Sequence, residues 1–543
     1  MFTPKLISII KNKKSEFTKK QLLQDLISGI IVAIIALPLS LALAIASGVS
    51  PEKGIITAII GGFIISFLGG SRVQIGGPTG AFVIIIYGII QEFGLKGLAI
   101  ATIMAGIFLV VFGLLRFGSV IKYIPFSITT GFTVGIALVL LTTQIKDFLG
   151  LKIEDVPAEF IGKWEVYFKN INTLSLATLL IGVLAIAIIV LVPKISKRIP
   201  GALIAIIVTT LLVEFLNLPV ETIGSRFGEI SSNISMADFS GINIETISKL
   251  INPAITIAIL AGVESLLSAV VADGMIGKKH NSNVELIAQG IANIFCALFG
   301  GIPATGAVAR TAANVKNGGR TPVAGIVHSA FLLVIMLTLM PLAKLIPMTT
   351  LAAILFVVAY NMSEIGTVKE IFGSTKSDII IMITTFLLTV IFDLVVAIEI
   401  GMIIAMFLFV KKSSDITYAK KLELDQEEEE TDFKNDKITV YEIRGPLFFG
   451  AANTFMDIIN EVNINAEILI IKMKHVPVLD ATAINTLKRM KKQCKKKKIK
   501  LLFAEVQQKP MKLLEKSGFV DDLGEENFFT KTEEAINYAT RSV

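Results

Sequence analysis

Long apolar runs, punctuated by glycine, proline and short basic clusters, set the pattern of residues 22–410. A hydrocarbon core about 30 Å thick is crossed by roughly 20 apolar residues of helix. Stretches such as LLIGVLAIAIIVLV (179–192) and IIIMITTFLLTVIF (379–392) meet that need. The pattern predicts spans near 24–46, 54–69, 95–115, 124–145, 173–193, 200–217, 250–273, 284–299, 322–342, 348–361, 377–392 and 394–410. Two further segments, 79–90 and 307–315, begin abruptly after Gly- and Pro-rich runs and are too short to cross alone. Counting them gives about fourteen elements.

The pattern repeats itself weakly. GGPTGA (76–81) resembles GGIPATGA (300–307), and the two copies lie seven elements apart. An odd offset sends the copies through the membrane in opposite directions, and paired Gly/Pro-interrupted segments in inverted repeats point to the binding site of a secondary transporter. The frequency of Gly and Pro in membrane helices in general is the plainer account of the match.

Beyond residue 410 the periodicity changes. An acidic stretch, DQEEEET (425–431), leads to the alternating run KITVYEIRGPLFFG (437–450). A helix pattern (452–463), an apolar strand EILIIKM (467–473), a helix (480–493), a strand IKLLFAEV (499–506) and helices near 508–517 and 531–540 follow. Strands alternating with helices predict a small α/β domain. The expected division is an N-terminal segment (1–23), a transmembrane domain (24–411), a charged linker (412–436) and the α/β domain (437–543).

Composition sharpens this picture. Of 543 residues, 53% are hydrophobic and 17% charged, which excludes an ordinary soluble protein. The basic N-terminal segment (Lys5, Lys11, Lys13, Lys14, Lys19, Lys20) precedes a first span too long for a cleavable signal core. Arg116 with Lys122, Lys194, Lys197 and Arg198, Lys278 with Lys279, Lys316 with Arg320, and Lys411–Lys412 all fall on one side with it. The positive-inside rule makes that side the cytoplasm, with both termini there, in a cell membrane. The net charge of +7 follows from these loops and gives no ground for a nucleic-acid partner. Cys296 and Cys494 lie far apart and predict free thiols; His280, His328 and His475 show no metal spacing.

A half-helix starting in mid-membrane presents unpartnered backbone N–H groups and the positive end of its dipole, an anion site in either repeat. Arg310 falls in the first turn of the second half-helix. A guanidinium near the bilayer centre costs about 2.5–3.5 kcal/mol and is expected to face a polar cavity, where its donor fork suits an oxyanion. Snorkelling or a structural ion pair is the alternative. Glu264 stands in an otherwise uncharged span with Ser268 one turn on. Together they suit proton exchange or, through oxygen ligands, Na⁺; a static pair with Arg310 would instead only stabilise the bundle.

The segments ALPLSLALAIASGVSP (36–51), GGPTGA, ESLLSAVVAD (264–273), HNSNVELIAQGIAN (280–293) and GAVARTAANVKNGGRTPVAG (306–325) resemble the SulP family of anion transporters, bacterial counterparts of the SLC26 exchangers. The resemblance covers essentially the whole chain, its C-terminal part resembling a STAS domain. It implies a polytopic α-helical protein of fourteen segments in two inverted seven-segment repeats, arranged as core and gate domains, with a cytoplasmic α/β domain. It implies further an anion site between the third and tenth segments, lined by Thr79, Gly80 and Ala81 and by Ala309 and Arg310, with Leu39 and Leu43 flanking it. Glu264 then falls at the acidic position of the eighth segment, with Ser268 beside it for cation coupling. Ala309 stands where many members have serine, and Val308 where Na⁺-coupled members have threonine; the second departure moves the expectation from Na⁺ toward H⁺. In the STAS-like part Asp480 is retained, but Ala481 follows in place of a phosphorylated serine, and Thr482 is expected to cap the next helix.

The resulting expectation is a secondary active transporter, not an enzyme, without cofactor or metal. Sulfate symported with H⁺ is the first choice; Na⁺- or H⁺-coupled bicarbonate or dicarboxylate transport, or a membrane-tethered STAS anion sensor, are the alternatives. Expected partners are a small inorganic anion, the lipid bilayer, a second copy in a homodimer and a cytoplasmic protein at the STAS-like domain.

Overall fold

The structure, a computed structural model, describes all residues except 1–2, 13–16, 120–123, 155, 158, 196–199, 231, 233, 239–242, 393, 423–436 and 450–465. Lys13, Lys14, Lys122, Lys197, Arg198, the acidic stretch 425–431 and the expected helix 452–463 therefore lie outside the described residues. The chain forms two compact units, Met1–Met402 and Ile403–Val543, whose boundary falls within the helix Leu394–Asp415.

In the first unit, eight helices among the described residues are long and apolar enough to cross a membrane, and Gly201–Phe215 and Ser282–Leu298 are shorter apolar helices. One group packs Lys19–Ala46, Pro51–Leu68, Val83–Leu114, Ile251–Ile276, Ser282–Leu298, Val308–Lys316 and Val323–Ala343 on one another. A second group joins Phe126–Thr143, Leu176–Ile195, Gly201–Phe215, Met348–Met362 and Lys376–Ile391. Lipid tails are as apolar as leucine, so such helices associate through close backbone approach at small residues. Gly106 and Gly290 are one instance: a Cβ on Gly106 would stand 2.6 Å from the Gly290 carbonyl oxygen.

The segments expected at 79–90 and 95–115 correspond to two helices within Val83–Leu114 that join at Gly94, where φ is +65°. Glycine alone takes that left-handed conformation at little cost, so the two helices meet without an intervening loop.

The connection 146–172 holds the helix Phe160–Lys169. Lys163 is 3% exposed and its ammonium lies 5.9 Å from the centre of the Tyr87 ring. Burial pushes this ammonium down to about 8 from 10.5. Between those values the docked helix holds fewer protons than an undocked one, so docking strengthens as pH rises from 8 to 10.5. Trp164, the chain's one tryptophan, packs on Phe160, Tyr167 and Phe168 and reports the change. Its emission is expected to titrate with a midpoint near 8 and to lose that transition in Lys163→Met. Emission indifferent to pH in the intact protein would contradict the assignment.

The second unit carries a five-stranded sheet ordered Tyr418–Leu422, Ile438–Arg444, Ile468–His475, Lys500–Ala504, Phe528–Phe529. The first pair is antiparallel and the rest parallel. Residues 418–422, read from sequence as linker, thus supply an edge strand. The helix Ala481–Lys496 buries Ile484, Leu487, Met490 and Cys494 against one face and leaves most of its lysines outside. Ala535 and Ala539 of Thr532–Ser542 cover the other face. Its cap corrects the expectation for Thr482. Asp480 is the N-cap, accepting from the Ala483 amide at 2.7 Å, and Thr482 is exposed inside the first turn. A second bond, from the Phe449 amide at 3.0 Å, engages the other Asp480 oxygen. Both thiols are free and buried.

Candidate functional site

The two glycine-rich motifs meet inside the first helix group. Gly76–Gly77 pairs antiparallel with Thr305–Gly306, Gly76 opposite Gly306 and Gly77 opposite Thr305. Non-helical backbone at membrane depth persists only where its polar groups are satisfied by protein, and small polar residues of the surrounding spans do this. Thr57 Oγ1 exchanges bonds with the Ile302 carbonyl (3.1 Å) and amide (2.7 Å). Asn293 does the same for Ala304 at 2.8 and 2.9 Å. Ser265 Oγ accepts from the Gly306 amide at 3.0 Å, while Thr305 Oγ1 donates to the Ala261 carbonyl at 3.0 Å. The edges close through Ala307 N–H to the Ile75 carbonyl (2.9 Å) and Ile75 N–H to Thr311 Oγ1 (3.0 Å).

Each strand feeds a helix start. Thr79 stands at the N-terminal boundary of the turn Gly80–Phe82, which runs into Val83–Leu114, and Ala307 at that of Val308–Lys316, neither with a capping side-chain bond. The first-turn amides of both have no intrahelical acceptor. The two starts lie within side-chain reach of one another: Arg310 Nη2 donates to the Pro78 carbonyl at 3.1 Å and approaches Ser40 Oγ at 3.5 Å. Arg310 is 3% exposed and its Nη1 is buried without a hydrogen-bond partner among the described residues. A buried cationic donor left open between two helix N-termini is suited to one class of ligand, an anion with several acceptor oxygens.

Of the residues expected at the site, Thr79, Gly80, Ala81, Ala309 and Arg310 are brought together by this crossing. Ala309 and Val308 are exposed, the latter at 37%, and Glu264 is half-buried, so the crossing is open on that side. Glu264 does not pair with Arg310. Its Oε2 accepts from Thr79 Oγ1 at 2.9 Å. Ser268 is buried and donates to Thr311 at 3.3 Å, away from the Glu264 carboxylate's partner. Leu39 is half-buried, whereas Leu43 is 4% exposed and belongs to the packed core with Ala58, Val83 and Leu140.

Several neighbours went unforeseen. Ser40 lies beside the Arg310 fork, and Leu140 and Met362 of the second helix group stand 3.1 and 3.5 Å from where a Gly80 Cβ would be. The polar residues Thr57, Ser265 and Asn293, each in an apolar span, were the available signal for the strand pair. Gly77 shows how tight the crossing is: a Cβ there would come within 2.3 Å of Arg310 Nη1. Gly77→Ala is expected to push the guanidinium aside, keeping the charge but weakening anion affinity about tenfold, roughly the 1.4 kcal/mol of a displaced hydrogen bond. Equilibrium anion binding to the purified variant checks this; unchanged affinity would remove Arg310 Nη1 from the site.

Two groups of membrane helices about an anion-suited crossing of broken segments make this a multi-pass membrane transporter for anions, not an enzyme. The chain belongs to the sulfate permease family, whose profile matches residues 22–385, and residues 433–535 match the STAS domain. It is 40% identical over 515 residues to the putative sulfate transporter YvdB of Bacillus subtilis (strain 168), covering 94% of this chain and 96% of that protein. It is 30% identical to the bicarbonate transporter BicA of Picosynechococcus sp., with 84% of each chain covered. Among solved structures, that of SLC26A9 shares the fold at TM-score 0.87 and 20% identity, covering 99% of this chain and 92% of the other. The transmembrane domain of a cyanobacterial BicA matches at TM-score 0.63 and 29% identity, covering 72% and 98%.

Proposed function

We propose that the chain is a secondary active transporter of a small inorganic oxyanion, with sulfate as substrate and H⁺ as the symported ion. The observation that carries the coupling is the 2.9 Å contact between Thr79 and Glu264 at the start of the first half-helix. A hydroxyl has one proton to donate. With Glu264 ionised, Thr79 spends it on the carboxylate; with Glu264 protonated, the carboxyl can donate instead, and the Thr79 hydroxyl is released toward an anion held by Arg310 and the helix amides. Protonation also removes a negative charge facing the incoming anion. Each event favours the other, and by linkage the coupling is reciprocal.

Na⁺ held jointly by Glu264 and Ser268 is disfavoured by their separate hydrogen-bond partners, Thr79 and Thr311. Alternating access would expose the crossing by movement of the first helix group against the second, past Leu140 and Met362. The name of the relative at 40% identity supports sulfate. Bicarbonate is the second reading, favoured by the similarity to BicA. The basic loops support cytoplasmic termini in a cell membrane, and a homodimer and a STAS-binding protein complete the proposal.

The test is radiotracer uptake into proteoliposomes, comparing sulfate, bicarbonate and a dicarboxylate under imposed H⁺ or Na⁺ gradients. Sulfate accumulation driven by an inward H⁺ gradient is expected. Bicarbonate uptake unaffected by excess sulfate would overturn the substrate. Anion binding without uptake of any of the three would identify a sensor.

A further inference from the structure

The connection 146–172 lies at the helix ends opposite the basic loops and carries the helix Phe160–Lys169. A helix on a water-facing surface turns its apolar stripe toward the protein and its charges outward. This helix is inverted. Its buried residues are Lys163 and Tyr167, one turn apart. Ile161 and Phe168 are 71% and 68% exposed, and half-buried Trp164 stands between them on the same face. The exposed charges, Glu165 and Lys169, pair with each other at 2.7 Å and leave that face without net charge.

The exposed apolar residues continue along the chain. Ile171 and Leu174 follow the helix. Leu176, Leu180 and Val183 come next, at helical spacing on Leu176–Ile195, which is long and apolar enough to cross a membrane. All three are exposed, on a span that buries only Thr178, Ile181, Gly182 and Ala185, so they belong to its lipid-facing surface. The apolar face of Phe160–Lys169 thus leads into a surface already covered by acyl chains. Its aromatic content fits the same neighbour. Trp164 packs against Phe168, ring centres 5.8 Å apart, and against Phe160 at 6.4 Å. Tryptophan is enriched where membrane meets water, because one end of its ring system is apolar and the other polar.

We propose that Phe160–Lys169 lies in the membrane–water interface on the side opposite the basic loops. Ile161, Trp164 and Phe168 then enter the boundary between headgroups and acyl chains, about 5–10 Å deep for helices of this kind. The Glu165–Lys169 pair stays at headgroup level. On the protein side the helix packs against Phe126–Thr143 and Lys376–Ile391 of the second helix group. It also meets the first group: Lys163 Nζ lies 5.9 Å from the centre of the Tyr87 ring, and the Tyr87 hydroxyl donates to the Val156 carbonyl at 2.9 Å. Tyr87 belongs to the helix run that starts at the anion crossing. The bilayer surface therefore bears on that run through one short helix, at the place where the two groups touch.

The test uses the chain's one tryptophan. Purified full-length protein is placed in phosphatidylcholine nanodiscs at a fixed pH of 7, and Trp164 emission is followed with three quenchers. These are lipid brominated near the carbonyl end of its acyl chains, lipid brominated near the methyl end, and acrylamide in the water. The shallow bromines are expected to quench most, the deep bromines less and acrylamide least. The Trp164→Phe, Phe168→Trp double variant moves the reporter to a more exposed position and is expected to keep that order with a larger loss to the shallow bromines. Ile161→Asp, on an exposed site, is expected to lower quenching by lipid and raise quenching by acrylamide. Acrylamide quenching of both reporters with no effect of either brominated lipid would put the helix in water and overturn the proposal. Protection of both reporters from all three quenchers would place a second copy of the chain over this face and overturn it equally.

Discussion

Arg310→Ala is expected to abolish anion uptake at physiological anion levels while leaving the folded protein no less stable. The two effects have separate origins. A charge-assisted hydrogen bond to the anion is worth about 1.5–3 kcal/mol, so losing the guanidinium weakens apparent affinity on the order of 10- to 150-fold. The same side chain is buried, with one fork nitrogen unpaired and the other on the Pro78 carbonyl. Its placement at membrane depth costs about 2.5–3.5 kcal/mol, and alanine removes that cost in exchange for one lost carbonyl partner. Arg310→Lys should fall between: the charge remains, but the planar fork does not. Uptake in proteoliposomes and thermal unfolding of the same preparations read both effects. A midpoint that drops sharply along with uptake would make Arg310 a structural residue instead.

Glu264→Gln is expected to remove proton-driven accumulation while leaving anion binding and downhill exchange in place. Glutamine keeps the shape of the side chain and an oxygen that can accept from Thr79, as Glu264 Oε2 does at 2.9 Å. It cannot gain or lose a proton in the cycle. Uptake should therefore flatten against pH, and an inward H⁺ gradient should no longer concentrate the anion. Retained H⁺-driven accumulation in this variant would move coupling to another residue.

Much of this site is legible in the chain. GGPTGA and GGIPATGA mark the two helix starts, and the lone Arg310 beside the second is the side chain that reaches from one start to the other. What could not be read is side-chain partnership across the fold. Thr79 and Glu264 are separated by 185 residues, and only packing decides that they touch. Ser268 shows a subtler limit. Four residues along an α-helix leave about 40° of rotation, enough to aim Ser268 at Thr311 while Glu264 meets Thr79. The strand pair Gly76–Gly77 with Thr305–Gly306 is too short for a period-2 signal. In the α/β unit the alternating strands were plain, whereas Tyr418–Leu422, a charged edge strand with the burial of a linker, was not. Thr482 was passed over as cap because Asp480, one residue before the helix, occupies that position with better geometry.

The most direct test of the account is proton uptake on anion binding. Sulfate is added to weakly buffered, purified wild-type protein while a pH indicator is followed, and the Glu264→Gln protein is treated identically. Sulfate binding is expected to draw protons into the wild type and none into the variant, with sulfate affinity in the wild type rising as pH falls. Sulfate binding without proton uptake at any pH, or equal uptake in the two proteins, would contradict it.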